Sequence, residues 1–216
     1  VSNRATPTLV SFGSKQRYLG EAAKTQETSN FKNTVSDLKR LVGRPIDDPD
    51  IDIERKYINA NVIGIESCNE VGVSVNFLNE QQEFSYTQLL GMFLGKVKDF
   101  TSKEINIPLT DAVISVPGWF STHQRQAVLD AAAISGINPL SLINELTASA
   151  LGYGITKTDL PDPANNEKPR NVVFVDFGYS SYQVAVVSFI KGKLIVKSTA
   201  YDRNLGGRNF DDAILE

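Results

Sequence analysis

A single cysteine, Cys68, has no partner within the chain, which excludes an internal disulfide framework and suits a reducing compartment. A single histidine, His123, removes most metal-ligand clusters and makes any Ser/His/Asp triad depend on one position; it reads as a plain residue on a helix surface. No apolar run approaches membrane-spanning length, and no signal-peptide pattern opens the chain. The net charge of −3 gives no electrostatic reason to expect nucleic acid or an acidic membrane surface. No internal repeat is visible. What remains, 41% hydrophobic and 22% charged over 216 residues, is an ordinary soluble globular composition with room for one or two cored domains. Val1 is no initiator Met and Ile214-Leu215-Glu216 stops in what reads as the first turn of a helix, so a longer parent protein is expected.

The stretch with most to say is Val172-Val173-Phe174-Val175-Asp176-Phe177-Gly178-Tyr179-Ser180-Ser181-Tyr182-Gln183, continued by an apolar run to Val187. The first run reads as a strand buried on both faces. It ends at an acid, turns through Gly and two Ser, and re-enters a second strand with no room for a helix. Such a turn, with N–H groups and hydroxyls facing outward beside a strand-end acid, suits a phosphate and its metal ion.

Upstream, residues 8–12 read as a short strand. Phe31, Val35, Leu38 and Val42 recur at helical spacing, with Gly43 and Pro45 as the stop. Lys39 lies at the edge of that stripe, where its side chain either snorkels toward a cleft or stays a solvated surface lysine; Arg40 lies away from it. The acidic, Pro-containing stretch 44–56 reads as an exposed connection. Residues 58–65 and 71–78 read as a hairpin in a satellite subdomain. Ser85-Tyr86-Thr87-Gln88 and Ser121-Thr122-His123-Gln124 are capping boxes opening two helices, the second with a small-residue side suited to close packing on a sheet. Strands at 112–116 and 140–143 alternate with helices, the signature of parallel pairing and right-handed crossovers. Stretch 157–170 carries no periodicity and is the best candidate boundary between two lobes. A third strand, 194–199, a glycine turn at Gly206-Gly207 and a helix from Phe210 follow.

Four features place polar residues where an α/β fold exposes them: Asp176 at a strand end, Ser180 and Ser181 in the turn, Glu145 at a strand–helix junction, and Gly206-Gly207, which lets a backbone approach a ligand closely. Each is common for structural reasons alone.

The run from Asp176 to Gln183 resembles the second phosphate loop of the actin-like ATPase superfamily. The wider match is to the 70-kDa heat-shock protein family. It is carried by Ser2-Asn3-Arg4-Ala5-Thr6-Pro7, by Asn33-Thr34-Val35-Ser36-Asp37-Leu38-Lys39-Arg40-Leu41-Val42-Gly43-Arg44, and by Ser115-Val116-Pro117-Gly118-Trp119-Phe120 with Gln124-Arg125-Gln126-Ala127. Asn144-Glu145-Leu146-Thr147-Ala148-Ser149-Ala150 and Leu205-Gly206-Gly207-Arg208-Asn209-Phe210-Asp211 complete it, all in family order. Lys157-Thr158-Asp159-Leu160-Pro161, and Tyr179-Ser180-Ser181 where 70-kDa members carry glycines, point to the 110-kDa branch.

The resemblance implies an α/β, actin-like (ribonuclease H-like) ATPase fold. Most of lobe I would occupy 1–156, with the satellite subdomain at about 20–105, a connecting loop at 157–170 and the start of lobe II at 171–216. It implies ATP or ADP with Mg²⁺ as cofactors. Lys39 matches the lysine that reaches the γ-phosphate, and Glu145 and Asp176 match carboxylates that hold magnesium through water. Gly178, Tyr179, Ser180 and Ser181 match the phosphate loop, Gly206 and Gly207 a nucleotide-side glycine turn, and Pro117 and Arg125 a proline switch and arginine relay. Gln183 stands where 70-kDa members have an aspartate, and Tyr179 and Ser180 replace glycines, so turnover is expected to be weak at most in the full-length parent.

The first phosphate loop and the adenosine half of lobe II would fall outside these residues, so the 216-residue chain alone is expected not to bind ATP tightly. The implied role is a cytoplasmic chaperone of the stress response that exchanges nucleotide on a 70-kDa heat-shock chaperone and holds unfolded clients, without nucleic-acid or membrane partners. The competing readings are an ATP-hydrolysing foldase of the 70-kDa kind and, less in keeping with the long match, a small-molecule kinase on the same fold.

Overall fold

The computed structural model describes residues 5–215, so Ser2-Asn3-Arg4 of the first matching stretch and Glu216 lie outside the described residues. The chain folds as two compact units, Val1–Val113 with Ser121–Ser141, and Ile114–Phe120 with Leu142–Glu216.

The first unit opens with β1 (Val10–Phe12), flanked by β2 (Arg17–Leu19) and, after the one-turn helix α1 (Glu21–Lys24), by β3 (Thr34–Val35), antiparallel in the order β2-β1-β3. The single helix expected from Phe31 to Val42 is broken into a 3₁₀ turn at Phe31–Asn33, β3, and the short helix α2 (Leu38–Leu41). Val35 pairs with Val10 across the sheet, Thr34 Oγ1 donates to Ser11 Oγ at 2.8 Å, and Asp37 takes a left-handed φ of 56° just before α2. Tertiary pairing overrides a weak helical preference there.

The acidic stretch expected to be an exposed connection contains α3 (Asp50–Arg55), whose Asp50 and Glu54 are buried. Arg40, expected off the packed face, is only 4% exposed; its Nε (2.8 Å) and Nη2 (2.5 Å) donate to Glu54 Oε1. Arg44 is buried too and pairs with Asp48 at 2.7 Å and Asp50 at 2.9 Å. Opposite charges satisfy one another out of water, so the sequence looks solvated where the fold is dry.

Strands β4 (Asn61–Ile65), β5 (Glu70–Phe77) and β6 (Glu80–Ser85) form an antiparallel sheet in that order. The first two are the expected hairpin; the third, largely polar, has no counterpart among the expected strands. Leu78 and Asn79 both have positive φ, 55° and 67°, which is the two-residue turn that suits the twist of a hairpin. Phe84 of β6 stacks on Phe12 at 4.9 Å, and both rings meet Phe77.

Helix α4 (Tyr86–Ile105) begins with the expected capping box, Gln88 N–H donating to Ser85 Oγ and Ser85 N–H to Gln88 Oε1. Strand β7 (Asp111–Val116), helix α5 (Thr122–Ile134) and strand β8 (Asn138–Asn144) follow, α5 carrying its own capping box at Ser121 and Gln124. β7 and β8 pair, and Asn138 N–H donates to Thr110 O at 2.8 Å where both begin, as parallel strands linked by a helix do. The small side of α5 lies against α4 rather than a sheet. A Cβ on Gly91 would come within 2.8 Å of the Ile134 side chain and 3.1 Å of the Ala131 carbonyl, so glycine lets the helices touch. His123 is exposed on α5, as expected.

The second unit contains α6 (Glu145–Thr156), β9 (Arg170–Phe177), β10 (Tyr182–Ile190), β11 (Lys193–Asp202) and α7 (Gly207–Leu215), the strands antiparallel in the order β11-β10-β9. Its core is Leu146 and Ala150 of α6 on Ala185, Val187 and Phe189 of β10, joined by Tyr153 and Phe174. Here an expectation fails: β9 is covered on one face, not two. Val172 and Phe174 pack toward that core while Val173, Val175 and Phe177 are exposed, because strand side chains alternate and α6 covers one side. In the connecting stretch, Arg170 lies 3.1 Å from Asp159 and holds its carboxyl below the usual range. Asp162 is held low first by the Ala164 N–H and then by Lys191. No helix among the described residues is long and apolar enough to cross a membrane.

Candidate functional site

The β9–β10 hairpin is the site's frame. Asp176 sits directly opposite Gln183 in the antiparallel register, and opposite residues share a face, so the strand-end acid and the amide meet by construction. Between them Gly178 N–H donates to Ser181 O at 2.9 Å and closes the turn. The turn's serines, expected to face outward, are both buried; Tyr179, 57% exposed, is its outward member.

Glu145 arrives from another direction. It is the first residue of α6, and the packing of Leu146 and Ala150 on β10 delivers its carboxylate to the hairpin. Gln183, 4% exposed, donates from one nitrogen, Nε2, to Glu145 Oε2 at 2.6 Å and to Asp176 Oδ2 at 3.1 Å. Ionised carboxylates only accept, so the amide must present its NH₂ to both. Two sequence-predicted carboxylates therefore converge on a residue that the sequence marks only as a departure from the family pattern.

The glycine turn closes the other side. Gly207 N–H donates to Gly178 O and Arg208 N–H to Tyr179 O, each at 2.9 Å, so the first turn of α7 is tied to the backbone of the Gly178–Ser181 turn. Gly206 is buried, and a Cβ there would overlap the Tyr179 carbonyl carbon and the Ser180 nitrogen. The close approach that glycine permits is to the loop itself. Arg208, 1% exposed, is among the most fully buried side chains; its position directly after Gly206-Gly207 is the one sequence signal for it.

The remaining predicted residues stand on other elements. Lys39 is exposed on α2 in the first unit, between buried Leu38 and Arg40. Pro117 is buried in the second unit, its carbonyl accepting the Phe120 N–H at 3.2 Å, whereas Arg125 is half-buried on α5 in the first. A first-unit cavity of about 550 Å³, lined by Lys32, Arg55, Asn61, Ser74 and Gln81 among others, includes none of the candidate residues.

Magnesium keeps much of its water shell and takes one or two protein carboxylates plus phosphate oxygens. Among the described residues no group of three or more His, Cys, Asp or Glu is arranged to hold a metal ion. Glu145 and Asp176, which meet at the Gln183 amide, offer two carboxylates, hard oxygen donors of the kind such an ion takes.

Residues 1–216, the whole chain, match the family model described as Hsp70 protein. The chain belongs to the Hsp70 family. It is 56% identical to heat shock protein hsp88 of Neurospora crassa and 48% identical to a heat shock protein homolog of Candida glabrata. It is 47% identical to a heat shock protein homolog of Saccharomyces cerevisiae, and in each case all of this chain is matched. These relatives place it in the 110-kDa branch of the family. The chain spans about a third of the curated relatives' length, 30% of the first and 31% of the others. The Hsp70 nucleotide-binding domain has the actin-like ATPase fold, and the mixed α/β architecture with several sheets accords with it.

Proposed function

We propose that this chain is part of the ATP-binding domain of a 110-kDa-type chaperone that promotes nucleotide exchange on a 70-kDa heat-shock chaperone and holds unfolded clients in the cytoplasm. In this reading residues 1–156 belong to lobe I, with the satellite subdomain at about 20–105, 157–170 connect the lobes, and 171–216 begin lobe II. The observation that carries it is the meeting of Glu145 and Asp176 on the Gln183 amide. Two carboxylates suffice to hold hydrated magnesium beside a nucleotide's phosphates, where the ion neutralises their charge. An amide in place of a third acid neither takes a proton nor orients water as a carboxylate does, so the site favours binding over turnover.

Within it, Gly178 and Ser181 shape the phosphate-loop turn, Tyr179 and Ser180 narrow it, and Gly206 and Gly207 hold its backbone in place. Lys39 is assigned to the terminal phosphate as a fixed cation, and Pro117 and Arg125 to relaying nucleotide state. Asp176→Ala and Lys39→Ala in the full-length protein are each expected to weaken magnesium-ATP binding at least about tenfold, or about 1.4 kcal/mol, by calorimetry. Unchanged affinity in both variants would refute the site assignment.

A further inference from the structure

Gln183 is the second residue of β10. It is buried, stands opposite Asp176 in register, and its single amide nitrogen serves carboxylates from two separate elements, β9 and the start of α6. Two carboxylates brought this close repel unless something positive or a donor lies between them. A cation would do so only when bound. The amide does so permanently and without adding charge.

We propose that Gln183 is a positioning residue that holds Glu145 and Asp176 converged before any cation arrives. The inference rests on the reading of this pair as a magnesium–nucleotide site and adds what that reading lacks, a reason for the pair to be preorganised. In this account the hairpin and α6 are pinned together by a neutral bridge, so the metal-free protein keeps the geometry that the loaded one needs. Two acids ready-made for one hydrated ion avoid a reorganisation step on binding.

The test uses the full-length protein as wild type, Gln183→Glu and Gln183→Met. Glutamate keeps the shape but turns both donors into a third carboxylate, and methionine keeps the bulk without donor or charge. The melting of the domain carrying these residues is followed in EDTA without nucleotide, then with magnesium chloride alone. Gln183→Glu is expected to melt about 4 °C or more below wild type in EDTA and to recover most of that loss with magnesium. Gln183→Met is expected to melt lower in EDTA and to gain nothing more from magnesium than wild type does.

ADP affinity is then measured with and without magnesium. In Gln183→Met the magnesium-dependent gain should fall about tenfold while metal-free affinity is unchanged, a split that a merely structural role does not produce. If both variants melt within about 1 °C of wild type in EDTA, or the magnesium gain is intact in Gln183→Met, the proposal is overturned. Should Gln183→Glu fail to fold, the methionine variant's two readings decide. A wild type without any magnesium gain would overturn the nucleotide reading itself, whereas the EDTA melts still judge the bridge.

Discussion

Replacing Glu54 by alanine is expected to destabilise the first unit by about 3–5 kcal/mol. Glu54 is fully buried and accepts from both Nε and Nη2 of Arg40, itself 4% exposed. Without the carboxylate, the guanidinium stays in a dry environment without the charge that compensated its desolvation. The loss spreads through neighbours, because Arg44 Nε donates to the Arg40 carbonyl at 2.6 Å and Arg44 itself holds Asp48 and Asp50. Tyr86, whose hydroxyl is pushed well above its ordinary value by burial first and then by the Asp37 and Glu54 carboxylates, stays a neutral neighbour throughout.

The pair need not be net stabilising against an apolar one. The double substitution of Arg40→Met with Glu54→Leu is therefore expected to recover most of the loss, within about 1–2 kcal/mol of wild type. Urea unfolding of the three proteins checks this, with the midpoint as readout. A loss below about 1 kcal/mol in Glu54→Ala would show that the buried charges are not what holds α2 to α3.

The second large effect is expected at Gly206. An alanine methyl there meets backbone, the Tyr179 carbonyl and the Ser180 nitrogen, rather than a side chain that can swing away. Either the loop or the start of α7 must move, and both are tied by the hydrogen bonds from Gly207 and Arg208. Gly206→Ala should cost about 1–3 kcal/mol of stability, as overpacking does. It should also weaken magnesium-ATP binding at least about tenfold, since the turn proposed to face the phosphates is displaced. Gly207→Ala is the control: a Cβ there meets nothing nearer than 3.8 Å, so it should leave stability within about 0.5 kcal/mol after helix preference is allowed for. Equal behaviour of the two variants would contradict the assignment of Gly206 as the close-approach position.

What the sequence makes legible is what short-range chemistry decides. Both capping boxes form as written, because donor and acceptor lie three residues apart. The hairpin around Gly178-Tyr179-Ser180-Ser181 forms because two strands flank a turn too short for a helix. Long-range pairing hides the rest. The Phe31-to-Val42 spacing is helical, but Val35 finds a strand partner in Val10. Acidic residues 48–54 look solvated until Arg40 and Arg44, themselves expected outside, fold in against them. Strand β6 is polar in sequence, with Glu80, Gln81 and Glu83 exposed, and Phe84, stacked on Phe12, is its one apolar residue.

The candidate site divides the same way. Asp176, Glu145 and the loop are visible from pattern and resemblance, while the bridge through Gln183 depends on where α6 packs on β10 and has no local signature. Likewise the glycine turn reads in sequence as facing a ligand, and its partner in the fold is the loop backbone.

The central claim is that this family member binds ATP in order to act on a second chaperone. Its most direct test is the release of labelled ADP from a 70-kDa heat-shock chaperone, followed by stopped flow with and without the full-length protein preloaded with ATP. Acceleration of at least about tenfold, abolished by Asp176→Ala, is the predicted result. Release at the unassisted rate with the ATP-loaded wild type would contradict it.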